Sequence, residues 1–198
     1  MPGRGVKVEL KDAILGRRSI RKFKDAKVDK ELIIKILDAA KWAPSAGNLQ
    51  PWEVIIVESD HTKKLIAEAA LGQYWLTKAP IVLIVCANLD RSGWYYGERG
   101  RTLYAIQDTA AFIQNILLLV HDHGLGACWV GAFDEEIVRE ILEIPRNCRP
   151  VAIIPIGIPD EKPSPPSRRP LEMFVHHEKF KEGLKLESIK RGHSEHGV

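Results

Sequence analysis

The sequence has few of the features that mark secreted, membrane-spanning or disulfide-bonded proteins. Its three cysteines, Cys86, Cys128 and Cys148, are odd in number and widely spaced among 198 residues. They argue against a disulfide framework and predict a reducing, cytoplasmic location. The longest uncharged apolar run, Ala79 to Leu89, is too short to cross a bilayer, so no membrane partner is expected. The first seven residues lack the apolar core of a signal peptide.

Charge of one sign is also scarce. The chain has 29 Lys plus Arg against 26 Asp plus Glu, which gives a net charge of +3. This balance, with no basic helix, argues against a nucleic-acid binder, although two local basic clusters keep that class open as a rival. Such a binder would show strongly salt-dependent binding. The 45% of hydrophobic residues is typical of a globular domain.

The common catalytic and metal-binding motifs are missing. The sequence contains no GxxxxGK[ST], GxSxG, HExxH or CxxC. The glycine-rich stretch Gly124–Gly131 follows a predicted helix and enters a predicted strand, the reverse of the order that a dinucleotide fingerprint needs. The pairs His121 and His123, and His176 and His177, lack further ligands at suitable spacing, so no metal site is expected.

Periodicity predicts helices alternating with strands around one sheet, which is an α/β or α+β class. The predicted helices cover Val8–Leu15, a segment that Asp29 caps and Pro44 ends, a segment through Ala70 that Ser59 or Asp60 caps, Arg101–His121, and a segment to Leu142 that Asp134 caps. The predicted strands cover Trp52–Val57, Ile81–Ala87, Ala127–Phe133 and Val151–Ile158.

The end of the sequence differs in texture. Prolines crowd the stretch from Pro159 to Pro170, which predicts an extended arm. We expect one domain over residues 1–180, followed by a polar C-terminal helix or tail over residues 181–198. The helix Arg101–His121 is apolar on nearly every face, which suggests a core position shared with a second copy of the chain.

Four stretches could carry chemistry, each with a plainer alternative. The guanidinium groups of Arg17–Arg21 could converge on a phosphate, or they could form a solvated basic turn. The amides in Pro44–Trp52 match the alternating donors and acceptors of a pyrimidine-like edge, or they form a polar connection. Gly131 in Cys128–Phe133 would let a backbone N–H approach a flat ring, and Ser167–Pro170 offers a second arginine pair.

In their order and spacing these stretches resemble the flavin-dependent nitroreductase family. The resemblance covers about Leu10 to His177, and only the combination of motifs is specific. The matching stretches are Arg17–Arg21, Ala43–Trp52, Ala70–Gln73, Ala79–Val85, Tyr96–Gly100, Gln107–Ala111, Gly124–Ala132 and Arg168–Glu172.

The resemblance implies an α+β sandwich in which helices flank a central mixed sheet, in an intertwined homodimer with FMN at the subunit interface. The implied cofactor-binding residues are Arg17, Arg18, Ser19, Arg21, Pro44, Ser45, Ala46, Asn48, Gln73, Val130, Gly131, Ala132, Arg168 and Arg169. In this scheme the arginines and Ser19 hold the phosphate, ribityl chain and pyrimidine edge, and residues 44–48 come from the opposite subunit. Pro166 stands where relatives often carry a lysine, which puts one phosphate contact in doubt.

The implied activity is hydride transfer from NADH or NADPH through the flavin N5 to nitroaromatic or quinone-type acceptors, with ping-pong kinetics. The flavin would carry the chemistry, so no catalytic acid or base is assigned. Trp94, Tyr95 and Tyr96 could line the acceptor slot or serve in packing. The alternatives are flavin fragmentation or reductive dehalogenation on the same scaffold, and flavin storage or sensing without turnover.

Overall fold

The computed structural model describes residues 9–180, and contacts divide the chain into two units, Met1–Pro163 and Ser164–Val198. The predicted C-terminal helix or tail over residues 181–198 lies outside the described residues. The expected division of the chain at residue 180 therefore stays a prediction. In the second unit, the described residues form an extended segment with one 3-10 turn, Leu171–Met173.

Helices and strands alternate along the first unit. They are α1 (Leu10–Gly16), α2 (Lys30–Ala40), β1 (Trp52–Val57), α3 (Asp60–Ala69), β2 (Ile81–Asn88), α4 (Leu89–Arg99), α5 (Ala105–Asp122), β3 (Gly126–Ala127), α6 (Glu135–Ile141) and β4 (Cys148–Gly157). Short 3-10 turns cover Ala46–Asn48 and Tyr74–Lys78, and a π-helical turn covers Gly100–Tyr104.

Polar side chains begin three of the helices, as the sequence predicts. The side chain of Asp29 accepts a hydrogen bond from a backbone amide at the start of α2, and that of Ser59 does so at α3. Asp134 accepts from the amides of Glu136 and Ile137 at the start of α6. Each cap satisfies backbone donors that have no partner within the helix.

The strands form one sheet in the order β1-β2-β4-β3, and the named pairs are all antiparallel. The α+β class is therefore confirmed. The expected mixed sheet needs a correction, because among the described residues parallel pairing is restricted to an isolated bridge between Ser19 and Ala127.

Both faces of the sheet are covered by helices. Ile81, Leu83 and Val85 of β2 pack in one apolar cluster with buried side chains of α2 and α5. The alternate residues of the same strand pack in a second cluster with buried side chains of α3 and α6. A strand buried on both faces reads as a continuous apolar run rather than as an alternating one, as the sequence of β2 does.

Two predicted elements differ from the structure. The predicted strand Ala127–Phe133 is wrong beyond Ala127, since the chain leaves the ladder there and returns only for a bridge between Val130 and Ile153. Helix α4 was not predicted, because its two glycines weaken the helical pattern of its sequence. One of them, Gly97, has φ 58 and interrupts the helix.

The helical run Leu89–Asp122 is long and apolar enough, by length and composition, to cross a membrane. The core helix of a globular domain satisfies the same criteria, and 44% of the most apolar window is buried inside the chain. Side chains of α5 such as Phe112 and Ile113 are buried against the sheet and α2. The packing of α5 as a central helix accounts for its apolar character.

Candidate functional site

The basic segment near the start of the chain lies along the edge of the sheet. Ile20 N donates a hydrogen bond to Ala127 O at 2.9 Å, beside the parallel bridge from Ser19 to Ala127. A Cβ added at Gly126 would lie 2.9 Å from Ile20, so a larger residue there would push the segment away. Glycine at position 126 therefore allows the segment to lie directly against β3.

The arginines of this segment differ in how they are held. Arg17 and Arg18 are half-buried, whereas Arg21 is exposed. Arg18 Nη1 donates to Leu15 O at 2.7 Å and to Arg17 O at 2.8 Å, and its Nε is buried without a hydrogen-bond partner. The guanidinium of Arg21 lies over the ring of Trp75, 5.9 Å from the centroid. An unpartnered donor beside two further cations suits an anionic ligand.

The loop that follows β3 approaches the 3-10 turn at Tyr74. Gln73 Nε2 donates to Ala132 O at 3.1 Å, which ties the two segments together. Val130 is buried and exchanges two backbone hydrogen bonds with Ile153, at 2.9 and 3.0 Å. Gly131 is exposed beside it. Because Val130 is fixed to β4, Gly131 and Ala132 lie at the surface, and Gln73 lies beside them.

Electrostatic interactions connect the basic segment to the same loop. Burial raises the pKa of the Cys128 thiol, and the positive charges of Arg21 and Arg17 and a hydrogen bond with Ser19 oppose this rise. A buried thiol with a raised pKa is poorly reactive at neutral pH, so Cys128 acts as a packing residue.

The residues described so far form one candidate site. We call it the cationic group and define it as Arg17, Arg18, Ser19, Arg21, Gln73 and Val130–Ala132.

A histidine lies behind the cationic group. Burial lowers the pKa of His121, and the charges of Arg17 and Arg18 lower it further. A Cβ added at Gly16 would lie 2.9 Å from His121 Nε2, so the imidazole packs closely on the end of α1. A neutral imidazole at this position adds no positive charge that would repel the two guanidinium groups.

A second group of predicted residues lies in the loop before β1. Ala46 N donates to Asp108 Oδ2 at 3.1 Å, and Gln50 N donates to Ser45 Oγ at 3.1 Å. Gln50 Nε2 donates to Asn48 O at 3.0 Å and to Asn48 Oδ1 at 3.1 Å. Gly47, with φ 57, allows the tight turn that these bonds close. We define the amide loop as Pro44–Gln50.

The predicted aromatic residues of α4 flank the amide loop. Trp94 and Tyr95 are 87% and 65% exposed. The ring of Tyr96 packs edge-on against the rings of Tyr95 and Tyr104, at centroid distances of 4.7 and 5.2 Å. A Cβ added at Gly47 would lie 2.8 Å from the hydroxyl of Tyr96. The packing role fits Tyr96, while Trp94 and Tyr95 present apolar surface to solvent.

The cationic group and the amide loop are separate within one chain. Among residues 9–180, no hydrogen bond, ion pair or ring contact joins them. Arg168 and Arg169 belong to the second unit, where both are exposed. Arg168 Nη1 donates to Ser167 O at 3.1 Å, and Arg169 Nη2 donates to Met173 O at 2.8 Å.

Three residues of the candidate site were not predicted from the sequence. Asp108 falls within the quoted stretch Gln107–Ala111 but receives no role there, because its partner Ala46 is 62 positions away. Trp75 follows Gln73 by two positions and becomes notable only through its contact with Arg21. Glu161, in the proline-rich region, accepts hydrogen bonds from the backbone amides of Arg21 and Lys22 and has no local sequence signal. In the described part of the chain, no cluster of three or more His, Cys, Asp or Glu side chains could hold a metal ion.

The cationic group therefore suits a ligand that combines a phosphate with a flat polar ring. Its arginines supply charge-assisted donors for the phosphate, and Ser19 and Gln73 supply neutral hydrogen bonds. The exposed backbone near Gly131 leaves room for a ring to approach, and Trp75 adds an aromatic surface. Such a surface is a candidate binding site for a phosphate-bearing cofactor.

Comparison with known proteins identifies the family. The model of the nitroreductase family matches residues 14–75 and 68–158. A Thermus thermophilus protein named NADH dehydrogenase is 33% identical over 195 residues, which cover 85% of this chain and 95% of that protein. The chain therefore belongs to the nitroreductase family, and the resemblance found from its motifs is confirmed.

Two further relatives carry flavin in their names. The FMN reductase (NAD(P)H) of Bacillus subtilis is 28% identical over 186 residues, which cover 87% of this chain and 74% of that protein. A solved structure of NADPH:FMN oxidoreductase from Vibrio harveyi, complexed with NAD+, superposes with a TM-score of 0.80. It is 27% identical, with 92% of this chain and 82% of that chain covered.

Asp108 generates a pH prediction. Burial raises its pKa above 3.8, and the hydrogen bond from Ala46 N opposes the rise. A raised folded-state pKa favours the folded protein below the unfolded-state pKa, and this contribution is lost as the pH rises through the folded-state pKa. Asp108→Asn keeps an oxygen for Ala46 but cannot ionise. We expect its free energy of unfolding, relative to the unsubstituted chain, to increase between pH 4.5 and 7.5 in urea titrations.

The control for the loss of one negative charge is Glu68→Gln, at an exposed position of α3. It should not reproduce the pH-dependent difference. A difference for Asp108→Asn that stays constant or shrinks with rising pH would contradict the assigned desolvation of this carboxylate.

Proposed function

We propose that this chain transfers hydride from NADH or NADPH to nitroaromatic or quinone-type acceptors by a ping-pong mechanism. The chain is an NAD(P)H-dependent oxidoreductase with FMN as its cofactor, in keeping with its family and with relatives named for these activities. Bound FMN supplies the redox chemistry by accepting and donating hydride at its N5. A single slot that takes the donor and then the acceptor would give this ping-pong order.

The observation that carries this proposal is the cationic group itself. Arg17, Arg18 and Arg21 hold the phosphate and the pyrimidine edge, and the free Nε of Arg18 offers a donor. The positive charge of Arg21 stabilises negative charge that develops on the reduced ring. Gln73 is fixed to Ala132 at 3.1 Å and bonds the ribityl or pyrimidine side.

The exposed backbone after Val130 approaches the reactive edge of the ring. Gly131 and Ala132 are both exposed, and the hydrogen bonds of Val130 fix the start of this segment. The roles of Arg168 and Arg169 in phosphate binding stay predictions from the sequence.

A homodimer completes the site. The cationic group and the amide loop of one chain are not in contact, so we assign Pro44, Ser45, Ala46 and Asn48 to the ring bound by the opposite subunit. Trp94 and Tyr95 then border the acceptor slot, with Tyr96 supporting the loop.

A cytoplasmic location stays a prediction. The free thiols of Cys86, Cys128 and Cys148 agree with a reducing compartment.

Exposed apolar side chains on α1 support the homodimer. Leu10 and Leu15 are 68% and 61% exposed, and Ala13 is the one residue of this seven-residue helix that is buried. A helix this short is marginally stable without packing of its apolar face. Trp42, just after α2, is 83% exposed. Contact with a second subunit would bury this surface.

Dimerisation can be tested with Leu15→Glu. A buried charge at the interface is costly, so we expect the native mass to fall from twice 22.3 kDa to 22.3 kDa in analytical ultracentrifugation. Lys64→Glu, a charge reversal on the exposed side of α3, should remain dimeric. A single-chain mass for the unsubstituted protein would refute the homodimer.

The phosphate assignment can be tested with Arg17→Ala combined with Arg21→Ala. Loss of two charge-assisted contacts should weaken FMN binding about a hundredfold or more, while circular dichroism shows an intact fold. Lys22→Ala combined with Lys24→Ala removes the same charge from the same segment and should retain FMN. Full flavin occupancy in the double arginine variant would show that the phosphate binds elsewhere.

Catalytic turnover is tested by adding NADH or NADPH to the FMN-loaded protein without oxygen. The proposal predicts that the yellow absorbance bleaches and that a nitroaromatic or quinone restores it. The same protein without nicotinamide should stay yellow. No bleaching with either coenzyme would favour flavin storage or sensing over reduction. Bleaching without reoxidation by these acceptors would favour the related chemistries, flavin fragmentation or reductive dehalogenation.

A further inference from the structure

The chain that follows β4 pairs with the segment Arg21–Lys24. Lys24 N donates to Ile158 O at 2.9 Å, and Asp160 N donates to Lys22 O at 2.9 Å. The last strand of the sheet therefore continues as an irregular antiparallel pair beside the basic segment. This pairing brings residues from the two ends of the first unit together.

The carboxylate of Glu161 adds hydrogen bonds between the same two segments. Glu161 Oε1 accepts from Arg21 N at 2.5 Å and from Lys22 N at 3.0 Å, across more than 130 positions of sequence. Hydrogen bonds to a charged acceptor are shorter and stronger than neutral ones. Two successive amides that point at one oxygen fix the local backbone direction. The glutamate thus holds the backbone at the point from which the Arg21 side chain leaves.

The side chain of Arg21 extends to the 3-10 turn Tyr74–Lys78, which follows Gln73 directly. Its guanidinium lies over the ring of Trp75, 5.9 Å from the centroid. The charges of Arg21 and Glu161 both act on the Cys128 thiol, one lowering and the other raising its pKa. The carboxylate therefore lies within electrostatic range of the cationic group, although it bonds backbone amides and not the guanidinium.

We propose that Glu161 is a positioning residue for FMN binding, which acts by fixing the backbone of Arg21 and Lys22 so that the Arg21 guanidinium faces the cofactor. The inference rests on the proposed function, because it concerns the same site. Glu161 does not touch the cofactor in this scheme. Its loss frees two amides and lets the Arg21 segment adopt other conformations, which weakens FMN binding.

The test compares Glu161→Ala with Glu161→Gln in full-length protein freed of flavin. We expect Glu161→Ala to raise the dissociation constant for FMN about tenfold or more, as measured by quenching of flavin fluorescence. Glu161→Gln keeps an oxygen acceptor for the two amides, and its constant should stay within about threefold of the unsubstituted value. Amide exchange at Arg21 and Lys22 should accelerate in the alanine variant without any flavin present.

The control is Asp29→Ala, which removes another carboxylate that accepts from a backbone amide, that of Glu31 at 2.9 Å. It should lower the melting temperature of the flavin-free protein and leave the dissociation constant for FMN unchanged. Unchanged or tighter FMN binding in Glu161→Ala would overturn the inference while leaving the proposed function intact. Failure of the unsubstituted chain to bind FMN would overturn the proposed function, and this inference with it.

Discussion

Burial of strand β2 on both of its faces is the constraint on which the rest of the structure depends. Its backbone polar groups have no access to water, so they are paired with β1 on one side and β4 on the other. Its side chains require apolar layers above and below the sheet, which α2 and α5 provide on one face and α3 and α6 on the other. The loops between these elements are then left at the ends of the strands.

The candidate site uses those ends. β4 pairs with β3, and Ala127 of β3 forms a bridge with Ser19 of the basic segment. After β4 the chain reaches Glu161, which accepts a hydrogen bond from the backbone amide of Arg21. The basic segment is therefore attached to the sheet at two points, although it contributes no strand of its own. Such attachment lowers the conformational entropy that a ligand would otherwise have to remove when it orders a loop.

In the described part of the chain, no hydrogen bond, ion pair or ring contact joins the cationic group to the amide loop. The amide loop is held by a buried carboxylate on α5, Asp108, and it rests against Tyr96. Both parts are held by contacts within one chain. The exposed apolar side chains of α1 form a surface of the kind that is typical of an interface.

The sequence by itself determined the local features. The strand Trp52–Val57, the doubly buried run of β2 and the caps Asp29, Ser59 and Asp134 follow from side-chain type and period, and the structure has them where they are predicted. The family also follows from the sequence, because its motifs keep their order and spacing along the chain. These features depend on residues that are close in sequence, so they can be predicted from the sequence pattern.

Only the tertiary structure decided the rest. The predicted strand after Ala127 ends early because the chain leaves the ladder there, and α4 forms despite its glycines because tertiary context overrides weak propensity. Asp108 and Glu161 became part of the site through partners 62 and 140 positions away. A backbone amide looks the same at every position of a sequence. Folding alone selects which amide a distant carboxylate will hold.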